Sequence, residues 1–153
     1  MRIKLREGDI FSIPIEDYHI IGIITRISSL KVPFGYFYKL KFKEPPIVEE
    51  IDLKNKESEI IFKGKFGIQG FKKQTWKIIG SIKNFEKENW PLPVFYNKSF
   101  SLPGELIYLD DNLDVYKREK APLSEESYKD YPDIDLAGSG YLEKKLIKLL
   151  AKS

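Results

Sequence analysis

Cysteine is absent from the sequence, and histidine occurs once, at His19. Without thiols there are no disulfides and no thiolate metal ligands, so stability must come from packing and a reducing cytoplasm is the expected compartment. One imidazole leaves no H-x-H, H-x-x-x-H or H-E-x-x-H pair to hold a metal, and no Cys/His set for nucleophilic catalysis. No catalytic residue, metal ligand or cofactor is therefore assigned, and His19, beside an expected strand turn, is read as a solvent-exposed or packing side chain. A glycosidase-type pair of carboxylates stays formally open, because spacing in space is invisible in a sequence. No stretch approaches the ~20 apolar residues of a membrane helix, and the charges of Met1–Glu7 are not followed by an apolar core, so neither a membrane span nor a secretion signal is expected.

What is present describes a folded chain. With 42% apolar residues, ten Phe, nine Tyr and two Trp among 153 residues, it can bury a sizeable core as a single domain over residues 1–153. The formal net charge is only +3, but it is unevenly spread. From Glu105 to Asp135 ten acidic residues stand against four basic ones, so the excess of positive charge lies elsewhere in the chain.

Strand signals dominate the first two-thirds. Asp9–Ile15 reads as a strand ending near Pro14, and Glu16-Asp17-Tyr18-His19 as a turn. Ile20–Ile27, with Ile21, Ile23 and Ile27 on one face and Ile20 and Ile24 on the other, predicts a central strand buried on both sides. Tyr36, Tyr38, Leu40 and Phe42 alternate with Phe37, Lys39, Lys41 and Lys43, as in a strand with one wet face. Pro45-Pro46 ends it, and Ile47–Leu53 has the spacing of one or two helical turns with Ile47 and Ile51 aligned. Glu59–Phe66 and Trp76–Ile82 resume alternation before Pro91-Leu92-Pro93 interrupts. Leu106–Leu109 and Leu113–Lys117 flank Asp110-Asp111-Asn112, the best hairpin signal in the chain. Gly138-Ser139-Gly140 caps a closing helix through Ala151, with Leu142, Leu146, Leu149 and Leu150 on one face. The expected architecture is mostly β (α+β): a single curved antiparallel sheet or partly open barrel with a C-terminal α-helix packed on it.

Three further features bear on function. Gly64-x-x-Gly67-x-x-Gly70 lacks the order and the Lys-Ser/Thr of a phosphate loop, and is read as a flexible strand connection. The run Lys63, Lys65, Phe66, Phe71, Lys72, Lys73, Trp76 and Lys77 admits two readings: a single-strand nucleic-acid platform, or buried aromatics with lysines on the wet face. The acidic stretch is either a solvated face or a docking surface for a basic protein, with tyrosines as anchors among the acids. On the second reading the partner-binding residues are Asp110, Asp111, Asp114, Tyr116, Glu125, Glu126, Asp130, Tyr131, Asp133 and Asp135, with Tyr108 and Tyr128 interleaved.

Gly8-Asp9-Ile10-Phe11-Ser12-Ile13-Pro14-Ile15, an aromatic-bearing turn and Gly22-Ile23-Ile24 resemble the opening of the immunity protein 26 family of bacterial polymorphic toxin systems. Trp76-Lys77-Ile78-Ile79-Gly80, with Pro91-Leu92-Pro93 beyond it, is similar to that family's second block. The resemblance spans residues 6–27 and 74–95, with a weaker echo from Gly140 to Leu150. It implies a non-enzymatic protein that binds and neutralises a cognate toxin encoded nearby. The matched residues read as structural, so the resemblance places the partner-reading surface elsewhere.

Overall fold

Alternating apolar residues in the N-terminal half build a five-stranded antiparallel sheet in the computed structural model, which describes residues 3–97, 104–121, 131–132 and 139–152. Its strands are β1 (Asp9–Ile15), β2 (Tyr18–Ile27), β3 (Pro33–Phe42), β4 (Ile60–Lys65) and β5 (Lys77–Ser81), in the order β4-β3-β2-β1-β5. The isoleucine-rich β2 is central, as its two apolar faces require. Ile21 and Ile23 enter one core cluster, and Ile20 and Ile24 the other. Ile27 departs from the expected face and packs with Ile20 and Ile24, because a register shift between Ile24 and Arg26 inverts the alternation.

A second sheet, β6 (Phe95–Asn97), β7 (Gly104–Leu109) and β8 (Val115–Ala121), is ordered β6-β7-β8. The mostly β chain with a C-terminal helix is thus present, but its strands divide between two open sheets rather than one, and no barrel closes. After β5 ends at Ser81 the chain passes through a 3-10 turn at Lys87–Asn89 and then Pro91-Leu92-Pro93, whose prolines cannot donate to a ladder, before β6 starts the new sheet.

The new sheet covers one face of the old one. Phe95, Ile107, Leu109 and Leu113 share a cluster with Ile10, Ile21, Ile23, Phe34, Tyr36 and Tyr38. Within it, Tyr38 Oη accepts a 2.8 Å hydrogen bond from Trp90 Nε1, and Tyr36 donates to the Pro91 carbonyl. The opposite face receives α2 (Ser139–Lys152), whose Leu142, Leu146 and Leu150 are buried against Phe11, Ile13, Ile20, Ile24 and Phe37. Each such leucine contributes roughly 1.5–3 kcal/mol. Helix, large sheet and small sheet form three layers.

At the centre of the helix-side layer, Phe11 stacks on Trp76 with ring centroids 5.8 Å apart. Two glycines make room for the pair: a Cβ at Gly22 would stand 2.5 Å from Phe11 Cζ, and one at Gly70 would stand 2.5 Å from Trp76 Cγ. Gly70 opens α1 (Gln69–Lys72) together with Gln69, so the glycine-rich run serves packing here. Trp76 Nε1 donates to Glu143 Oε1 at 2.7 Å, tying α2 to the sheet.

Between β3 and β4 the chain forms three 3-10 turns, Val48–Glu50, Leu53–Asn55 and Glu57–Glu59. Val48 and Leu53 are buried while Ile47 is exposed. Three residues per turn remove the four-residue alignment expected of Ile47 and Ile51.

Candidate partner-binding surface

The β7–β8 hairpin carries the described part of the acidic stretch. Its turn closes on itself through backbone and carboxylate. Asp110 N donates to Asp114 O at 2.9 Å and Leu113 N to Asp110 O at 2.9 Å. Asp110 Oδ1 accepts from the amides of Asn112 (2.9 Å) and Asp114 (3.0 Å), the self-capping that makes Asp a turn residue. Asn112 Nδ2 donates to Asp114 Oδ2 at 2.7 Å. The left-handed position falls on Leu113 (φ 64°), not on the Asp-Asp-Asn run, and its side chain is buried among Phe95, Ile107 and Leu109.

The tip is also fastened to the large sheet. Buried Arg26 of β2 donates Nε–H to Asp111 Oδ1 at 3.0 Å. Its remaining donors reach the carbonyls of Trp90 (2.7 Å) and Lys87 (3.3 Å). Beside it, Asn112 Oδ1 accepts from Ser29 N at 2.6 Å. Asp110, Asp111 and Asp114 thus gather at one exposed tip, but each carboxylate also holds the turn or the clamp. Arg26 was missed in the sequence, although a lone cation inside an isoleucine-rich strand signals a buried guanidinium in need of a carboxylate.

Along β8 the sign of charge reverses. Val115 to Lys120 are all exposed, Tyr116 among them at 65%, and Lys117, Arg118 and Lys120 outnumber Glu119. Lys117 Nζ pairs with Glu119 Oε1 and Arg118 Nη1 with Glu105 Oε2, both at 2.9 Å. Lys117 also lies 4.9 Å over the Tyr108 ring, which is 6.3 Å from that of Tyr116. Hydrogen bonds from Lys117 and then Tyr108 hold the Glu119 carboxyl below its usual range, and the same Glu119 raises both the Lys117 ammonium and the Tyr108 hydroxyl. Tyr131 is half-buried, and its hydroxyl adds to the field that raises Tyr108. Glu125, Glu126, Asp130, Asp133 and Asp135, with Tyr128, lie outside the described residues. A linear charge count over this stretch conceals an acidic tip joined to a basic strand.

The lysine and aromatic run offers no stacking platform, because Phe66, Phe71 and Trp76 are all in the core. His19 is half-buried with Nδ1 out of contact with solvent and no hydrogen-bond partner. Among the described residues no group of three or more His, Asp or Glu side chains has metal-binding geometry, and no helix is long and apolar enough to cross a membrane. A cavity of about 640 Å³ is lined by Ile3, Leu5, Ile27 and Ile68 with Lys4 and Lys31. Another, of about 370 Å³ beside Tyr36, Tyr38 and Trp90, has Glu57 as its one lining carboxylate. Neither brings together the carboxylate pair that acid–base hydrolysis needs.

A family model described as Immunity protein 26 matches residues 6–100. The match takes in both sequence blocks noted above and the stretch between them, and stops short of β7, β8 and α2. No curated protein and no solved structure matches the chain. The matched residues are more than half of the chain and contain the whole five-stranded sheet with its two aromatic cores; the chain belongs to the immunity protein 26 family, and with it to proteins of immunity function that are generally non-enzymatic.

Proposed function

We propose that this chain binds a cognate bacterial toxin encoded beside it and neutralises it in the cytoplasm by covering the toxin's active or substrate-binding surface. The family match over residues 6–100 carries the reading. The charged, tyrosine-bearing hairpin beyond the match supports it, since aromatic anchors in a charged surround concentrate binding energy. Self-protection calls for tight association: nanomolar affinity corresponds to about −12 kcal/mol, over an interface of about 1,600 Å².

The partner-binding residues proposed are Asp110, Asp111, Asp114, Tyr116, Glu125, Glu126, Asp130, Tyr131, Asp133 and Asp135. Because Asp110, Asp111 and Asp114 also hold the turn, the electrostatic test uses charge reversal at Glu125, Glu126 and Asp130. Association with the toxin domain from the adjacent reading frame should slow and lose salt sensitivity. An unchanged rate and salt dependence removes the acidic docking surface. Failure of the two products to co-purify, with toxin activity unaffected by the added protein, removes the function itself.

A nucleic-acid role predicts retention of single strands that falls steeply with salt. With Phe66, Phe71 and Trp76 enclosed, no such retention is expected in filter binding.

A further inference from the structure

Sheet edges present unpaired N–H and C=O groups to any extended chain that can reach them. In the large sheet, β4 is overlaid by α2, whose Lys145 Nζ lies 4.9 Å over the Phe62 ring. At the other edge, β5 is five residues long and meets β1 through a register shift. In the small sheet, the outer side of β6 already gives the Tyr96 amide to the Pro132 carbonyl at 3.0 Å. Among the described residues nothing pairs with the outer side of β8, a seven-residue strand exposed from Val115 to Lys120.

The side chains of β8 restrict what can pair there. A second copy would bring another strand of net positive charge, with Lys117, Arg118 and Lys120 against one Glu119, to the same edge, a repulsion that disfavours self-pairing. An acidic strand meets the opposite situation. Tyr116, 65% exposed, adds an apolar ring beside the edge.

We infer that the partner completes the small sheet: an extended acidic segment of it pairs with the outer edge of β8, its carboxylates opposite Lys117, Arg118 and Lys120 and an apolar side chain against Tyr116. This rests on the toxin-binding reading above and specifies its geometry. Main-chain hydrogen bonds supply affinity in strand addition, and alternate side chains supply selectivity. The interface is bipolar, since the adjoining tip presents Asp110, Asp111 and Asp114.

The test is residue-resolved amide hydrogen exchange by NMR, on the full chain alone and with the toxin domain from the adjacent reading frame. Every second amide of β8 exchanges freely in the isolated protein and slows roughly hundredfold in the complex. A complex that leaves these amides unprotected overturns strand addition while the toxin-binding reading stands. Absence of any complex removes both. Protection that grows with the concentration of the protein alone assigns the edge to a second copy and also overturns the proposal.

Two variants sharpen the result. Neighbouring amides point to opposite sides of a strand, so of Lys117→Pro and Arg118→Pro one breaks a ladder bond to β7 and lowers Tm, while the other removes only an outward donor. The variant with near-native Tm binds the toxin domain about tenfold more weakly; equal affinity overturns the proposal. Lys120→Glu weakens binding roughly fivefold.

Discussion

The guanidinium of Arg26, in the central strand of the large sheet, donates to the carboxylate of Asp111 at the tip of the small sheet's hairpin, 3.0 Å away and 85 residues distant in the chain. The arginine is buried at 4% exposure while its partner is 64% exposed. One end of the bridge is therefore screened by water and the other is not.

Removing Asp111 leaves a buried cation with only carbonyls for company. Asp111→Ala should cost about 1–2 kcal/mol, less than for a fully enclosed pair because water screens the carboxylate side. Urea denaturation measures it. Arg26→Met should restore part of the loss in the Asp111→Ala background, because an apolar side chain needs no counter-charge.

Alkaline pH offers a second test. Burial raises the Tyr36 hydroxyl well above its ordinary value of 10.0 and pushes Tyr38 up to about 12, the Trp90 hydrogen bond opposing the shift in Tyr38. The folded state thus holds these protons more tightly than the unfolded chain. Their stabilising effect is complete below about pH 10 and is lost as pH rises towards 12. Tm should fall over that window, with tyrosinate absorbance from these two rings appearing together with unfolding. Tyr38→Phe should flatten the fall and, at neutral pH, cost about 1–3 kcal/mol by stranding the Trp90 indole N–H.

The β1–β2 turn contains strain that can be relieved. Glu16 occupies the left-handed region at φ 55°, where a side chain crowds its own backbone. Glu16→Gly should stabilise the protein by about 0.5–1 kcal/mol, glycine's greater freedom in the unfolded chain taking back part of the gain. Differential scanning calorimetry on both proteins decides it.

The closing helix lies outside the family match but inside the core. Leu146 is fully buried against the helix-side cluster. Leu146→Ala should therefore cost about 2–5 kcal/mol by leaving a cavity. A loss under ~1 kcal/mol, measured by denaturant titration, would mean that α2 contributes little to this core.

Much of the architecture was legible from period and punctuation. β1 spans Asp9–Ile15 as expected, β2 is central, and the leucines at 142, 146 and 150 mark a helix face that is buried. Local inversions were not legible. Ile27 changes face at a bulge, and Ile82, expected on the face of Trp76, packs against the other core because the β1–β5 register shifts between Ile10 and Phe11. A period-two pattern has no symbol for an extra residue. The division into two sheets depends on tertiary docking across the Pro91–Pro93 break. At the surface, the hairpin and its acidic tip were readable from Asp110-Asp111-Asn112, and Tyr116 is exposed. That Asp111 faces Arg26, and that β8 is basic, required the fold.

The clamp between strand and hairpin also bears on the thermodynamics of encounter. A loop that settles only on contact surrenders about 0.5–1.5 kcal/mol for each rotamer-rich side chain it immobilises. With Asp111 and Asn112 already seated on Arg26 and Ser29, the tip loses that freedom during folding instead. On the toxin-binding reading proposed above, a partner meets a preorganised tip, and the entropy of ordering it is not subtracted from the affinity.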